Sequence, residues 1–282
     1  MFADYHVHCN YSSDSFVTME QQVLRAIELG LQEVCFTDHV DYGVKKDWSE
    51  GNIDWVEMNG KKYSATNVDY EPYFRDLAEV KRKYGDKIVI RQGLELGVQT
   101  ITIPQFEDMW KKYGDKLDFT LLSMHQVNNE QLWNQKFQST RTQKQYNEEY
   151  YEEILRVVQQ YKKYSVLAHL DLIIRYDLKG AYPFEGVKDI IAEILKVVIR
   201  DGKGIELNTS SWHYGLKDTQ PSKAILKLYK DLGGKIITVG SDGHSMQYVA
   251  DHFKDAYDIL KNEIGFEEIY TFDHMEPIAH KL

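Results

Sequence analysis

The first fourteen residues contain two histidines and an aspartate whose spacing suits a metal ion. His6 and His8 are separated by one residue in a segment, Asp4–His8, that is predicted to be a β-strand. Because successive strand side chains point to opposite faces, the two imidazoles lie on one face, where neutral imidazoles can share an ion. Asp14 follows after a short turn. The pair alone is a weak signal, because a half-buried strand can also carry two histidines with purely structural roles.

Residues of the same kind end six later predicted strands. In chain order they are Asp38 with His39, Glu95, His125, His169, Asn208, and Asp242 with His244. Six of the ten histidines lie at or just after strand ends, whereas unrelated histidines would be scattered along the chain. The carboxyl ends of parallel barrel strands form one face, where such enzymes place their chemistry. We therefore expect these side chains to form one site.

The candidate ligands offer only nitrogen and oxygen atoms. This set suits zinc, manganese or iron rather than magnesium alone. The two cysteines are not part of it, because Cys9 should point away from His8 by strand alternation and Cys35 is expected to be a small core residue. So many ligands predict two or three divalent ions that share a carboxylate, with Glu95 as the most central bridge. Paired ions about 3.5–4 Å apart activate a water and neutralise a transferring phosphoryl group.

Short β-rich runs alternate with longer helical patterns along the chain. The predicted strands are Asp4–His8, Glu33–His39, Lys87–Glu95, Phe119–His125, Ser165–His169, Gly204–Asn208 and Lys235–Asp242. Helices are predicted between them, and a last one over Tyr248–Glu263. Seven β-then-α units predict a parallel sheet, and their even spacing favours a closed barrel over a doubly wound sheet. Residues 40–70 are expected to form an irregular, functional loop.

Composition limits the classes of function. The 282 residues have a net charge of −10, which disfavours binding to nucleic acid or to an anionic membrane. A small phosphorylated substrate stays possible, because bound cations reverse the local charge. With no linker, membrane-length apolar run or basic leader in the sequence, we expect one domain over 1–282 in the cytoplasm, where two cysteines would remain reduced. The sequence assigns no oligomeric state.

Six motifs resemble those of the PHP family, the polymerase and histidinol phosphatase superfamily. They are Asp4-Tyr5-His6-Val7-His8 with Asp14, Thr37-Asp38-His39, Gly93-Leu94-Glu95, Ser123-Met124-His125, Ala168-His169-Leu170-Asp171, and Gly240-Ser241-Asp242-Gly243-His244. The resemblance implies an α/β fold, a distorted (β/α)7 TIM-like barrel, with a trinuclear metal site at the carboxyl ends of the strands. It also implies three ligand sets: His6, His8, Glu95 and Asp242; Glu95, His125 and His169; and Asp14, His39 and His244.

Within the family, the chain is most similar to the monofunctional histidinol-phosphate phosphatases. The cues include Arg175-Tyr176, Asn208-Thr209-Ser210-Ser211 and Pro221-Ser222. The resemblance implies hydrolysis of L-histidinol phosphate in histidine biosynthesis, by attack of a metal-bound hydroxide on phosphorus. One departure concerns the substrate, because Trp212-His213 stands where such phosphatases often carry an arginine.

Roles follow for the remaining polar residues. The catalytic candidates are Glu95, Asp242 and His244, and either of the last two could protonate the leaving alkoxide. The substrate-binding candidates are Arg175, a two-pronged phosphate donor, with Asn208, His213 and Tyr42. Asp41 and Trp48 belong with Tyr42 in the loop that could receive the amine and the imidazole of the substrate. His252, placed mid-helix, and His274 and His280 in the tail are expected at the surface.

Two other functions stay open. The same site could hydrolyse another small phosphorylated metabolite, a nucleotide or a phosphodiester. A non-catalytic metal-binding module is the third hypothesis, and it would be expected to lack several ligands. None of the motif ligands is missing from this sequence.

Overall fold

Seven parallel strands form a nearly closed barrel in the computed structural model, which describes residues 2–51, 53, 55–58 and 61–282. They are β1 (Ala3–Val7), β2 (Glu33–Phe36), β3 (Val89–Gly97), β4 (Phe119–Ser123), β5 (Val166–Leu167), β6 (Gly204–Asn208) and β7 (Ile237–Gly240). Neighbours along the chain are neighbours in the sheet, from β1 to β7. Just beyond β7, the Gly243 amide donates to the His6 carbonyl at 3.2 Å, and the His8 amide donates to the Gly243 carbonyl at 3.2 Å. The predicted distorted barrel is confirmed.

Helices cover the outside of the barrel. They are α1 (Met19–Glu28), α2 (Tyr70–Tyr84), α3 (Ile103–Tyr113), α4 (Gln143–Gln160), α5 (Lys188–Arg200), α6 (Lys223–Asp231) and α7 (Phe253–Asp258), the last continued by a π-helical turn, Ile259–Ile264. Short helices occupy Lys136–Ser139 and Ser210–His213, and short 3-10 turns lie between the larger elements. Thr18 caps α1 reciprocally with Gln21, as the sequence pattern predicts. No helix among the described residues has both the length and the apolar character needed to cross a membrane.

An aspartate in the first strand ties the two ends of the barrel together. Asp4 is fully buried, and its Oδ2 accepts hydrogen bonds from the Ser241 hydroxyl at 2.6 Å and from the Ala250 amide at 2.9 Å. Its Oδ1 accepts from the Ser241 amide at 2.9 Å. These bonds fix the segment after β7 against β1. The two strands that carry the first and last candidate ligands are therefore held side by side.

A C-terminal hairpin, absent from the sequence prediction, packs at the other end of the barrel. Its strands are β8 (Glu268–Asp273) and β9 (Glu276–Lys281). The ring of Phe272 lies 5.0 Å from that of Phe119 inside the barrel. Arg91 pairs with Glu33 at 2.7 Å and with Asp273 at 2.7 Å. The hairpin therefore seals the end opposite the candidate site.

The structure corrects several predicted boundaries. Glu95 lies inside β3 rather than at its end, because His39–Val40 forms a short strand that pairs with Glu95 and Leu96. His252 is not in mid-helix: it has a left-handed backbone and immediately precedes α7. Residues 40–70 contain a hairpin, Trp55–Met58 with Lys61–Ser64, as well as the start of α2.

Candidate metal centre

Glu95 is the centre of a histidine cluster at the carboxyl ends of the strands. It is fully buried on β3. Its Oε1 atom lies 3.0 Å from His125 Nε2 and 2.8 Å from His169 Nε2. The same oxygen accepts a hydrogen bond from the Ser123 hydroxyl at 2.7 Å. The structure therefore brings together Glu95, inside β3, with His125 and His169, which follow the ends of β4 and β5.

The other oxygen of Glu95 faces His6 in β1, His8 just after it, and His39 in the short strand His39–Val40. Oε2 lies 2.8 Å from His39 Nδ1, 3.3 Å from His6 Nε2 and 3.4 Å from His8 Nε2. Asp242 approaches from the other side, with its Oδ1 atom 3.5 Å from His6 Nε2 and 3.4 Å from His8 Nε2. The pairing of β1 with β2 shifts register between Asp4 and Val7. In this stretch Tyr5 packs inside the barrel, while His6 points into the cluster.

Asp14 and His244, together with the outer nitrogen of His39, form the solvent-facing side of the cluster. Asp14 Oδ1 lies 3.4 Å from His244 Nε2, and its Oδ2 lies 3.5 Å from His39 Nε2. The two imidazoles approach each other at 3.3 Å between their Nε2 atoms. The Asp14 side chain is 53% exposed, so this side of the cluster opens to water. All nine predicted ligands are therefore gathered in one place.

The donor atoms fit divalent metal ions. His6 Nε2, His8 Nε2, His39 Nδ1 and Glu95 Oε2 are buried. Although the three nitrogens lie 2.8–3.4 Å from Glu95 Oε2, none of the four atoms makes a hydrogen bond of suitable geometry within the described part of the chain. Buried polar atoms without partners are costly, and atoms that converge in this way are suited to a cation. Four groups of three ligands have their donor atoms within 4.8 Å of one another: His8, His39 and His244; His6, Glu95 and His169; His6, His8 and Asp242; His39, Glu95 and His125. The group of His6, His8 and Asp242 lies within the first set that the family resemblance implies, and the other three groups combine residues of different sets.

The charges in the cluster lower the pKa of the Glu95 carboxyl and raise the pKa of the His39 imidazole. Burial opposes ionisation of Glu95, but the neighbouring His125, His6 and His39 outweigh it and hold its pKa well below the usual value. Burial also opposes the imidazolium form of His39, yet Glu95 and Asp14 raise its pKa to about 10. The carboxylates are therefore ionised as ligands require, while the metal-free cluster retains protons on histidines.

Two candidate ligands have unusual backbone conformations. The φ angle is 23° at His169 and 55° at Asp242, a region that costs a non-glycine residue about 1–3 kcal/mol. Each conformation is held by neighbours, because the His169 amide donates to Glu206 Oε2 at 3.0 Å and Asp242 Oδ2 accepts from Arg175 at 3.3 Å. Strain of this kind is concentrated at functional sites.

Glu206 and Asp41 contact ligand histidines, a role that the sequence analysis did not predict. Glu206 Oε1 lies 2.6 Å from His6 Nδ1, and Asp41 Oδ1 lies 2.7 Å from His125 Nδ1. A signal existed for Glu206, since it stands two residues before Asn208 on a strand and shares its face. For Asp41, the sequence predicts a contact with substrate from the 40–70 loop rather than a contact with a ligand histidine.

Asp38 supports the cluster from outside it. Its carboxylate accepts hydrogen bonds from the Cys9 amide at 2.9 Å and from the Ser12 hydroxyl at 2.7 Å. The Ser12 oxygen lies 3.0 Å from His8 Nδ1. Asp38 is therefore linked to His8 through Ser12 and does not join the cluster, although it ends a predicted strand.

Arg175 and Asn208 adjoin the cluster, Arg175 next to Asp242 and Asn208 next to Glu206. Arg175 is almost fully buried, and its guanidinium donates to Asp242 Oδ2 at 3.3 Å and to Gln220 Oε1 at 2.8 Å. Asn208 is fully buried, with Nδ2 3.2 Å from Glu206 Oε2. Both residues thus contact groups that hold the ligands in place.

His213 and Tyr42 have different surroundings. His213 ends the short helix Ser210–His213, and its ring stacks on that of Tyr248 at 4.1 Å. Tyr42 points away from the cluster: its ring packs against Phe106 at 4.8 Å and its hydroxyl lies 3.0 Å from that of Tyr70. The structure therefore does not bring Tyr42 to the ligands.

Comparison with known protein families agrees with this geometry. The sequence model of the PHP domain matches residues 4–210 of the 282-residue chain, which is well over half of it. The chain belongs to the PHP family. This PHP protein carries two more candidate ligands, Asp242 and His244, beyond the matched stretch.

Relatives match the PHP protein over almost its whole length. A histidinol-phosphatase from Lactococcus lactis subsp. lactis is 29% identical over 97% of this chain and 95% of its own. A relative from Thermotoga maritima, named "probable histidinol-phosphatase", is 26% identical over 94% of this chain and 93% of its own. A crystal structure of histidinol phosphate phosphatase from Lactococcus lactis, complexed with zinc, L-histidinol and phosphate, superposes with a TM-score of 0.82 at 27% identity and covers 98% of each chain.

Proposed function

We propose that this PHP protein is a metal-dependent histidinol-phosphatase, a phosphomonoesterase that hydrolyses L-histidinol phosphate to L-histidinol and phosphate. The observation that carries this conclusion is the complete cluster of nine ligand side chains around the buried Glu95. The match over the whole length to a phosphatase complexed with zinc, L-histidinol and phosphate supports it. We place the activity in histidine biosynthesis, in one domain over residues 1–282, and in the cytoplasm, where the buried Cys9 and Cys35 would stay reduced.

We propose that the cluster binds two to three divalent ions, and that Glu95 bridges two of them. Zinc has the most direct support, because the Lactococcus lactis structure contains it, while the ligand types also suit manganese and iron. Bound divalent ions would activate a water and neutralise charge on the phosphoryl group. The protein supplies fixed ligands for this chemistry, because neighbouring histidines, and Arg175 beside Asp242, lower the pKa values of Glu95 and Asp242 and keep both carboxylates ionised.

Arg175 is proposed to orient the phosphate. Its guanidinium is fixed by Asp242, by the Ser210 hydroxyl and by Gln220. The ring of Tyr214 stacks on it at 4.1 Å. A guanidinium held on several sides loses little entropy when it binds a phosphate oxygen. Asn208 contributes by holding Ser210, whose amide donates to Asn208 Oδ1 at 2.9 Å.

The leaving group is proposed to lie against the aromatic side of the mouth. His213 and Tyr248 form a stacked pair there, and Tyr214 is 51% exposed beside Arg175. Burial lowers the pKa of His213, so its imidazole is neutral at neutral pH and can accept a hydrogen bond. Aromatic faces also suit the flat imidazole ring of L-histidinol. Tyr42, with its hydroxyl on Tyr70, is proposed only to support the loop over Asp41.

Of the two candidate proton donors, His244 fits better than Asp242, and it takes this role in a two-ion centre in which its Nε2 atom binds no metal, because a coordinating imidazole nitrogen carries no proton. Burial opposes ionisation of Asp242, but His6, His8 and Arg175 outweigh it and hold its pKa well below the usual value. Burial also opposes protonation of His244, yet Asp14 outweighs it and raises the pKa of this histidine. His244 is 25% exposed at the mouth, where a leaving alkoxide would depart. Asp242 would instead remain an ionised ligand.

A substrate panel separates the proposal from its alternative, a PHP phosphoesterase acting on another small phosphorylated metabolite or nucleotide. The panel contains L-histidinol phosphate, a sugar phosphate, a nucleoside monophosphate and a phosphodiester, each tested with zinc- and manganese-loaded protein. We expect kcat/KM to be highest for L-histidinol phosphate, and no activity on long nucleic acids given the net charge of −10. A higher kcat/KM for any other member would replace the proposed substrate.

A further inference from the structure

We infer that Glu206 and Asp41 are positioning residues that set the metal affinity of the cluster. Gly240 and Gly97 leave the space through which these two carboxylates reach His6 and His125. The inference rests on the proposed metal-dependent function. It concerns residues outside the ligand set and can be measured by metal binding alone.

Glu206 orients His6. The carboxylate and the imidazole are both fully buried, and Glu206 Oε1 lies 2.6 Å from His6 Nδ1. With a proton on Nδ1, the ring donates to Glu206 and directs its unprotonated Nε2 at Glu95 and Asp242. Contacts of this type fix the tautomer of a metal-binding histidine and raise its basicity.

Asp41 does the same for His125 from the opposite side of Glu95. Asp41 Oδ1 lies 2.7 Å from His125 Nδ1, and His125 Nε2 lies 3.0 Å from Glu95 Oε1. The Asp41 carboxylate is buried, and its own backbone amide donates to Asn67 at 2.7 Å. The two carboxylates thus aim two imidazoles at opposite oxygens of one glutamate.

A glycine faces each of these carboxylates. A methyl group at Gly240 would lie 2.3 Å from Glu206 Oε1 and 2.4 Å from the Cβ atom of His6. A methyl group at Gly97 would lie 2.0 Å from Asp41 Oδ1. Neither glycine has a positive φ angle, so backbone conformation does not explain either of them. The close approach of a carboxylate does.

The Glu206 and Asp41 carboxylates differ in the charge of their other partners. Asp41 Oδ2 pairs with the largely buried Lys45 at 2.9 Å. Among the described residues, Glu206 Oε2 instead accepts only from neutral donors, the His169 amide at 3.0 Å and Asn208 Nδ2 at 3.2 Å. An unbalanced carboxylate increases the basicity of its imidazole more than a neutralised one does. We therefore expect Glu206 to affect metal affinity more than Asp41.

The test measures zinc binding by competition with a chromogenic chelator, together with zinc content and the Tm of each metal-free variant. The variants are Glu206→Gln, Asp41→Asn, Gly240→Ala and Gly97→Ala. We expect zinc to bind about 10- to 100-fold more weakly in each, with Glu206→Gln weaker than Asp41→Asn. The amide substitutions preserve size, so they decide the question even if an alanine variant does not fold.

Gly234→Ala is the matched control. A methyl group there would lie 2.3 Å from the ring of Tyr229, in the turn before β7 and away from the ligands. This variant should lower Tm while zinc affinity stays within about twofold. Zinc affinity within twofold of the parent protein in Glu206→Gln and Asp41→Asn would overturn the inference. Failure of the proposed function would instead appear as absent turnover of L-histidinol phosphate by the parent protein, while the expected differences in zinc affinity between the parent and the variants are still observed.

Discussion

The Nδ1 atom of His6 lies 2.6 Å from Oε1 of Glu206, although 200 residues separate the two in the chain. Both side chains are fully buried. This contact joins the first strand of the barrel to the sixth and aims the first ligand of the PHP motif at Glu95. The candidate ligands of the cluster are therefore backed by further buried residues that direct them.

Replacing Glu95 with glutamine should remove both metal binding and activity. Glu95 contacts four histidines at 3.3 Å or less, His6, His39, His125 and His169, and a neutral amide cannot bridge ions. Because loss of a supporting residue costs about 10- to 100-fold, loss of this ligand should lower kcat/KM by more than about 100-fold. Phosphate release and zinc content measure the two effects. Ser123→Ala, which removes only a donor to Glu95, should be milder; an active Glu95→Gln would rule out the bridging role.

Replacing Arg175 with lysine should weaken phosphate binding. Lysine keeps the charge but cannot contact Asp242, Gln220 and a phosphate with one planar group. We expect kcat/KM to fall by about tenfold or more, with a matching rise in the inhibition constant of inorganic phosphate. Arg200→Lys is the control, because that side chain is 65% exposed and pairs with Asp201 far from the cluster. Unchanged phosphate inhibition in Arg175→Lys would exclude Arg175 from the phosphate site.

The metal-free protein should become less stable as the pH rises above neutrality. Burial opposes protonation of His39 and His125, but Glu95 with Asp14 or Asp41 raises their pKa values to about 10 and about 9, above the ordinary 6.5. A raised folded-state pKa stabilises the fold fully below the unfolded value, and the stabilisation is lost as pH passes the folded value. The Tm should therefore fall between pH 6.5 and about 10.

Zinc binding gives the control for this pH dependence. Zinc needs the same nitrogens without their protons, so binding should release protons and the loaded protein should not show the same loss of Tm. Thermal scans of both forms, with calorimetry in two buffers of different ionisation enthalpy, measure the effects. A metal-free Tm that is flat or rises with pH over this range contradicts the assigned shifts.

Replacing Tyr248 with leucine should affect the leaving group and spare the phosphate. The substitution removes the ring on which His213 stacks at 4.1 Å, a contact worth about 0.5–1.5 kcal/mol. KM for L-histidinol phosphate should rise by about 2- to 10-fold, while KM for glycerol phosphate, which has no ring, should stay the same. Tyr270→Leu, in the hairpin at the other end of the barrel, should change neither. Equal rises for both substrates would remove the aromatic pair from substrate recognition.

The gathering of the candidate ligands could be predicted from the sequence because strand side chains alternate and barrel strands end on one face. His6, His8, His125 and His169 needed no more than that rule. Glu206 and Asp41 could not be assigned, because their contacts join strands that are distant in the sequence and depend on the space left by glycines. The orientation of Tyr42 away from the cluster could not be predicted either, because it follows from packing against Phe106 and from contact with the Tyr70 hydroxyl.

Two features of the backbone also could not be predicted from the sequence patterns. The helical periodicity around His252 did not reveal the left-handed residues Ala250 and His252, which follow from the fixed position of the Ala250 amide on Asp4. The C-terminal hairpin was missed because β9 is mostly exposed and lacks the alternating pattern of a half-buried strand.

The central claim is that a metal-loaded cluster around Glu95 hydrolyses L-histidinol phosphate specifically. The most direct measurement is kcat/KM for L-histidinol phosphate and for 4-nitrophenyl phosphate, made on zinc-loaded protein, on chelator-treated protein and after zinc is restored, with zinc content determined at each stage. We predict a strong preference for L-histidinol phosphate that disappears with the metal and returns with two to three zinc ions per chain. Equal kcat/KM values for the two esters, or full activity without metal, would contradict the account.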